Sequence, residues 1–193
     1  MPNVLCVLHE KHYGDILLQE DLDRLKKVAD VTVNMDIPPG DEDALIDALK
    51  TADADVMLTC WQAPKVTMKV HKAWPKLKYI CHTAGEVKHY IDRDVIEDGI
   101  LVTNWGLATA HSTAEGAFAM TLAVLRNYHN MPYWTRRDGL YWETPGPIDE
   151  GLFGQRVGLH GLGAIAQEYV KLISPFECEV SAYSPHCPDR IFE

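Results

Sequence analysis

A glycine-rich turn between a short β-rich run and an amphipathic stretch is the feature that most constrains this chain. Residues 156–160 read Arg-Val-Gly-Leu-His and predict a strand. Residues 161–166 read Gly-Leu-Gly-Ala-Ile-Ala and open a helix that is expected to run to Ser174 and to be stopped by Pro175. Residues 179–183, Glu-Val-Ser-Ala-Tyr, predict a second strand. This order of elements predicts a βαβ unit with two parallel strands.

The spacing of the small residues in the turn indicates what the unit could bind. Gly161 suits a tight turn, Gly163 lets a pyrophosphate approach the backbone, and Ala166 is small enough for helix and strand to touch. The pyrophosphate would rest on the exposed N–H groups and positive end of a helix that begins near Ala164 and Ile165. These residues predict the first part of a Rossmann dinucleotide site, and the alternative is a glycine turn without a ligand.

The end of the second strand bears on the choice of cofactor. Ser184 lies where Rossmann domains usually carry an Asp or Glu that holds the ribose hydroxyls. A serine lacks that charge and does not repel a 2′-phosphate, so the predicted cofactor is NAD or NADP. His186 and Arg190 follow and could contact such a phosphate, or they could equally be solvated loop residues.

The chain ahead of this unit has the pattern of a separate α/β domain. From residue 4 to about residue 105, β-rich runs alternate with amphipathic helical patterns, which predicts a parallel sheet with helices on both faces. Five such steps favour a flavodoxin-like strand order. The expected strands cover residues 4–8, 31–33, 56–60, 77–81 and 100–103. We therefore predict a flavodoxin-like domain over residues 1–108, followed in residues 109–193 by a helix, a linker and the N-terminal part of a Rossmann domain.

Two features connect the predicted domains. Residues 112–115, Ser-Thr-Ala-Glu, form a capping-box pattern, so a helix is expected to begin there. Residues 116–125 are apolar on nearly every face, and this helix therefore needs covering by its own domain or by another subunit. Residues 130–155 are rich in Pro, Gly, Trp and Tyr without a clear period, which predicts a domain hinge.

Composition excludes several classes of function. The formal net charge of −10, without a Lys/Arg-rich stripe, argues against nucleic acid as a partner. No apolar run approaches the roughly 18 residues of a membrane span, and the first residues lack the pattern of a secretory signal, so we expect a cytoplasmic protein without membrane contact. The 5 cysteines and 9 histidines show no metal-ligand spacing, which predicts reduced thiols and no metal site.

Several stretches from about residue 50 onward resemble the D-isomer-specific 2-hydroxyacid dehydrogenase family. They are His-Thr-Ala-Gly-Glu at 82–86, Asp-Gly-Ile-Leu-Val-Thr-Asn at 98–104, Thr-Ala-Glu at 113–115, Arg-Asp-Gly-Leu-Tyr-Trp at 137–142, and residues 154–166. The resemblance implies a substrate domain before a Rossmann domain, a substrate in the interdomain cleft, and a homodimer formed through the helix of residues 112–128. It also implies the interconversion of a D-2-hydroxy acid and a 2-keto acid with NAD or NADP.

By the same resemblance, Ala84, Gly85 and Glu86 look like the family's loop whose backbone N–H groups hold the substrate carboxylate. Glu86 and residues 87–89 depart from the family's pattern, which has a small or neutral residue followed by Gly-x-Asp. The family's catalytic Arg, acidic residue and His lie well beyond the second Rossmann strand, so no catalytic residue can be assigned in residues 1–193.

Three readings of the whole chain follow. The first is an incomplete chain of a D-2-hydroxyacid dehydrogenase, inactive by itself because the catalytic residues are absent. The second is a non-catalytic relative that binds a nucleotide or a partner. The third is an unrelated flavodoxin-like protein whose glycine loop is coincidental.

Overall fold

The computed structural model describes residues 1–132 and 150–185. The chain divides into two compact units, Met1–Gly106 and Leu107–Glu193. Most of the predicted hinge lies outside the described residues, as do the family-like stretch at residues 137–142 and both His186 and Arg190.

The first unit is built on a five-stranded sheet. Its strands are β1 (Asn3–Val7), β2 (Asp30–Asn34), β3 (Val56–Thr59), β4 (Tyr79–His82) and β5 (Leu101–Thr103). Its helices are α1 (Glu10–Ile16), α2 (Gln19–Leu25), α3 (Glu42–Thr51), α4 (Met68–Ala73) and α5 (Arg93–Glu97). All neighbouring strands are parallel, and their order is β2-β1-β3-β4-β5. The predicted flavodoxin-like order is therefore confirmed.

The core of this unit lies on both faces of the sheet, because alternate residues of each strand point to opposite sides. On one face, Leu5 and Val7 of β1 belong to a cluster that includes buried residues of α3 and α4. On the other face, Val4 and Cys6 pack with Leu22 of α2. A strand covered on both sides is expected to be an unbroken apolar run, which is how β1 appears in the sequence.

The elements of the first unit differ from the predicted ones mainly at their ends. Strand β4 begins at Tyr79, two residues later than expected, because Leu77 lies in a turn in which its N–H donates to the carbonyl of Trp74. The sequence pattern does not predict helix α1, since this helix buries no residue fully and so lacks a strong apolar period. Helix α3 begins as its acidic residues indicate, with Asp41 accepting from the N–H of Ala44 at 2.9 Å.

The second unit contains the predicted βαβ arrangement. Its elements are α6 (Ala110–Leu125), β6 (Arg156–His160), α7 (Ala164–Ile173) and β7 (Glu179–Tyr183). Strands β6 and β7 are parallel, in register from Arg156 opposite Glu179 to His160 opposite Tyr183. Helix α6 packs on α7, where the hydroxyls of Thr121 and Tyr169 lie 2.9 Å apart. The α/β fold class predicted for this part of the chain is confirmed.

The predicted start of α6 is wrong, whereas α7 ends at Ile173, one residue before the predicted end at Ser174. Helix α6 begins at Ala110 rather than at the capping-box pattern, and Ser112 lies inside it. The hydroxyls of Ser112 and Thr113 donate back to the carbonyl of Thr109, at 3.2 and 2.8 Å, so they satisfy no helix N–H. After α7 ends, the chain makes a further 3-10 turn over Ser174–Phe176, and Pro175 lies within that turn.

Candidate functional site

The turn between β6 and α7 contains the predicted cofactor residues. Gly161 has φ of +98°, a conformation that favours glycine, and its N–H donates to the carbonyl of Tyr183 at 2.7 Å. This bond joins the turn to the end of β7. Ser184 is half-buried and directly follows Tyr183, the residue whose carbonyl binds the turn.

Gly163 immediately precedes α7, at a position where the described residues do not require a glycine. Its φ of −77° and ψ of −174° suit any residue, and a Cβ added there would meet no atom within 4 Å. Neither backbone conformation nor packing against the described residues requires glycine here. The absence of a side chain leaves the backbone open to close approach from outside.

The first turn of α7 offers unpaired donors at the same place. The carbonyl of Gly163 accepts from Gln167 at 3.0 Å, but the N–H groups of Ala164, Ile165 and Ala166 precede the first internal bond of the helix. No side chain of the described residues caps this end. The amide of Gln167 instead donates to the carbonyl of Leu162 at 3.1 Å, which stabilises the turn. An anion would find backbone donors and the positive end of the helix here.

The predicted substrate loop, residues 84–86, lies in the first unit, and the residue before it is held by two hydrogen bonds. Thr83 donates to the carbonyl of Thr59 through its N–H at 2.7 Å and its hydroxyl at 3.0 Å. Ala84 is fully buried, and its carbonyl accepts from the N–H of Trp105 at 3.1 Å. The loop is thereby fixed to the last residue of β3 and to the chain that follows β5.

Gly85 and Glu86, by contrast, are exposed. The carbonyl of Gly85 accepts from the side-chain amide of Asn104, while the N–H groups of Gly85 and Glu86 have no acceptor among the described residues. A Cβ at Gly85 would also meet nothing within 4 Å. Two successive free donors on a fixed loop are a pair of groups that an anion could accept from.

Glu86 is the acidic side chain of this loop, and it pairs with the two basic side chains that follow it. Its carboxylate lies 2.6 Å from the ammonium of Lys88 and 3.5 Å from the ring of His89. The hydrogen bond from Lys88 lowers the pKa of Glu86 below its ordinary value, so the carboxylate is charged near neutral pH. Lys88 is partly neutralised by this pair, and the loop therefore offers backbone donors beside a negative side chain.

His82 precedes the loop and is fully buried. Neither of its ring nitrogens has a hydrogen-bond partner among the described residues, and its ring packs on Tyr90 with centroids 4.7 Å apart. Burial lowers the pKa of His82 below its ordinary value, so the ring is neutral at pH 7. His82 thus supports the loop by packing rather than by charge.

A cluster of rings that sequence reasoning missed lies beside the same loop. The centroids of His12 and Trp61 are 5.4 Å apart, and those of Trp61 and Trp105 are 5.5 Å apart, both edge-on. Trp61 and Trp105 each come two residues after a strand, and His12 lies in α1 just after β1. The carboxyl ends of parallel strands meet at one edge of a sheet, a rule that could have found these residues.

Within the described residues, no group of three or more His, Cys, Asp or Glu side chains is arranged to hold a metal ion. None of the helices in these ranges combines the length and the apolar character of a membrane span. The two sets of predicted site residues lie in different units, residues 84–86 in the first and residues 161–184 in the second.

Comparison with known proteins agrees with this description. Residues 118–191 match the family described as D-isomer specific 2-hydroxyacid dehydrogenase, NAD binding domain. D-3-phosphoglycerate dehydrogenase of Methanocaldococcus jannaschii is 28% identical over 179 residues, or 93% of this chain and 33% of that protein. The enzyme of the same name from Mycobacterium bovis is 34% identical over 147 residues, or 76% of this chain and 27% of that protein.

Among solved structures, a glyoxylate reductase from Paecilomyes thermophila has the same fold, with a TM-score of 0.75 at 20% identity over 100% of this chain and 59% of that chain. The chain thus spans about a third or less of the two dehydrogenases. The NAD binding domain match covers the whole of β6, the glycine turn, α7 and β7. On these grounds the chain belongs to the D-isomer-specific 2-hydroxyacid dehydrogenase family.

Proposed function

We propose that the turn of residues 161–166 binds the pyrophosphate of a nicotinamide dinucleotide, in a protein that interconverts a D-2-hydroxy acid and a 2-keto acid. The observation that carries the proposal is the open backbone at Gly163, next to the unpaired N–H groups of Ala164, Ile165 and Ala166. It lies within the stretch that matches the family's NAD binding domain. The bound cofactor would supply or accept the hydride, and this chain's residues would hold and orient it.

The test compares the wild-type chain with Gly163→Val. Because the backbone at Gly163 is extended and unobstructed, the variant is expected to unfold at an unchanged temperature. Its side chain would keep the pyrophosphate from the helix. NADH affinity should fall by more than about tenfold, since hydrogen bonds to charged groups contribute about 1.5–3 kcal/mol each.

Gly151→Val is the matched control, because Gly151 is also exposed, belongs to the second unit, and has no atom within 4 Å of an added Cβ. It should bind NADH like the wild type. Equal NADH affinity in all three proteins would overturn the proposed site, and so would a failure of the wild type to bind either NADH or NADPH.

The choice between NAD and NADP is proposed to depend on Ser184. Its position beside the turn supports contact with the ribose, and its lack of charge allows a 2′-phosphate. Ser184→Asp should therefore weaken NADPH binding by at least about tenfold while NADH binding changes little, because a carboxylate repels the phosphate. If the wild type clearly prefers NADH and the substitution does not further disfavour NADPH, the tolerance for NADP is refuted.

For the acid, we propose that the N–H groups of Gly85 and Glu86 hold the substrate carboxylate. Support comes from their lack of acceptors among the described residues and from the firm attachment of Ala84 beside them. In this proposal residues 1–108 are the substrate domain, and residues 109–193 contain the dimerisation helix, the linker and the start of the NAD(P)-binding domain.

The free thiols of Cys6 and Cys60 support a cytoplasmic location.

The proposal also includes a homodimer formed through α6. Met120 and Val124, four residues apart on one helix face, are 65% and 71% exposed. A contiguous apolar face of this kind is a common mark of a protein interface. Met120→Glu combined with Val124→Lys should convert a dimer into a monomer in light scattering after gel filtration, and a wild type that is itself monomeric would refute the dimer.

A further inference from the structure

The edge of the first sheet where its strands end carries an unusual concentration of aromatic rings. His12 follows β1, Trp61 follows β3 and Trp105 follows β5. In an open parallel sheet, ligands bind beyond the carboxyl ends of the strands, at the point where the strand order reverses. In the order β2-β1-β3-β4-β5 that point lies between β1 and β3, which are the strands that carry His12 and Trp61.

These three rings form a continuous surface, which we name the aromatic wall. His12 meets Trp61 at an interplanar angle of 68° and Trp61 meets Trp105 at 85°, so each ring presents an edge to the next. Trp61 remains 40% exposed, and the other two are half-buried. Edge-on contacts leave ring faces available for a further aromatic group.

The aromatic wall adjoins the loop of residues 84–86. The N–H of Trp105 donates to Ala84 at 3.1 Å, and the neighbouring Asn104 donates to the carbonyl of Gly85. A ligand whose carboxylate reached the free N–H groups of Gly85 and Glu86 would therefore have the backbone of Trp105 directly beside it.

The charges near the loop disfavour a substrate whose side chain is anionic. The carboxylate of Glu86 is exposed, and the nearby cation of Lys88 is already paired with it. A substrate with a second anionic group, such as a phosphate, would meet like charge here without a free cation on this loop. A neutral apolar group meets no such penalty.

We propose that the aromatic wall, His12, Trp61 and Trp105, selects 2-hydroxy and 2-keto acids that carry an aromatic side chain, which packs on these rings while the carboxylate binds Gly85 and Glu86. This inference rests on the proposed function, because it takes the ligand to be a 2-hydroxy or 2-keto acid. It names the substrate class that this chain favours within that function.

The test measures binding of three acids to the 193-residue chain by calorimetry: D-phenyllactate, D-lactate and D-3-phosphoglycerate. D-phenyllactate should bind about tenfold tighter than D-lactate, the gain expected from an aromatic pair and the apolar area buried with it. D-3-phosphoglycerate should bind more weakly than D-phenyllactate. Trp61→Leu and Trp105→Leu should each remove most of the preference for the phenyl group while D-lactate affinity is retained.

Two further variants, an unfolding measurement and a spectrum separate this role from a general effect on folding. Trp61→Phe, which keeps a ring, should retain most of the preference, and Tyr128→Leu, which changes an exposed ring in the second unit, should retain all of it. In Trp61→Leu, an unchanged unfolding temperature is expected. In the wild type, the indole N–H signals of Trp61 and Trp105 should shift with D-phenyllactate.

Equal affinity for D-phenyllactate and D-lactate in the wild type would overturn the inference. So would a preference that survives both leucine substitutions, unshifted indole signals, tighter binding of D-3-phosphoglycerate, or no binding of any acid. NADH titration of the same samples tests the proposed function separately: NADH binding without the aromatic preference refutes only the aromatic wall, and the reverse result refutes only the cofactor site.

Discussion

The two sheets of this chain present the ends of their strands in opposite ways. Beyond the first sheet, side chains line the edge, with rings at Trp61 and Trp105 beside the loop of residues 84–86. Beyond β6, Gly161 and Gly163 present backbone alone, next to the exposed rings of His160 and Tyr183 that end the two strands. Backbone donors suit a group that is the same in every ligand, such as a pyrophosphate, whereas side chains distinguish one acid from another.

The same contrast holds for burial. In β1, every residue from Val4 to Val7 is buried. In β6, by contrast, half-buried and exposed residues alternate, and in β7 every residue except Ala182 is exposed, with Val180 and Tyr183 at 38% and 65%. In the first unit, burial of the strand residues is therefore expected to contribute a large part of the free energy of unfolding. In the second unit the fully buried residues are on the helices instead, with Ala114 of α6 and Ile173 of α7.

The largest expected effect compares one strand residue from each sheet. Ile80→Ala in β4 removes a fully buried side chain and should lower the free energy of unfolding of the first unit by about 2–5 kcal/mol. Val180→Ala in β7 should cost less than about 1 kcal/mol, since that side chain is 38% exposed. Urea unfolding followed by amide signals of each unit measures both, and similar costs would contradict the contrast in burial.

The next effect separates the two glycines of the β6–α7 turn. Gly161→Ala forces a side chain into a φ of +98° and should destabilise the second unit by about 1–2 kcal/mol. Gly163→Ala should change the free energy of unfolding by less than about 0.5 kcal/mol, because its backbone is ordinary and unobstructed. Thermal unfolding of the two variants tests this, and a larger loss at Gly163 would mean that packing requires that glycine.

The smallest effect is a pH dependence of the first unit. Because burial lowers the pKa of His82 in the folded chain, the unfolded chain binds a proton first as the pH falls below the ordinary value of 6.5. Above pH 6.5, His82 is neutral in both the folded and the unfolded chain, and its full contribution to the free energy of unfolding is present. Between that pH and the lower pKa of the folded chain, this contribution decreases as the pH falls. The slope is at most about 1.4 kcal/mol per pH unit for one proton.

Urea unfolding at a series of pH values between 7 and 5 measures this slope. His82→Phe should reduce it, while His89→Gln, which changes an exposed histidine on the same loop, should leave it in place. A slope that is the same in wild type and His82→Phe would contradict the assignment to His82.

The sequence predicts β6 and β7 to the residue because each is short, bounded by turn-forming residues and placed around an unmistakable glycine turn. It predicts the start of α6 wrongly because Ser112 and Glu115 satisfy the local capping pattern, while the backbone is already helical from Ala110. A serine hydroxyl can bond either the following N–H or the preceding carbonyl, and tertiary packing decides between them.

The candidate sites divide in the same way. The residues of the glycine turn are neighbours in the sequence, so their spacing is enough to predict the turn. Their role in cofactor binding stays a prediction. The aromatic wall joins residues that lie far apart along the chain, and only the strand order brings His12, Trp61 and Trp105 together. No spacing rule within one segment could have found them.

Our main proposal is that the β6–α7 turn holds a nicotinamide dinucleotide. Titrating the isotope-labelled chain with NADH, and following its backbone amide signals, tests this claim most directly. We expect the largest shifts on Gly161, Gly163, Ala164, Ile165 and Ala166, with a smaller shift at Ser184. Gly163→Val should reduce these shifts at each NADH concentration below saturation, because its NADH affinity is more than about tenfold lower. Shifts confined to other residues, or none at saturating NADH, would contradict it.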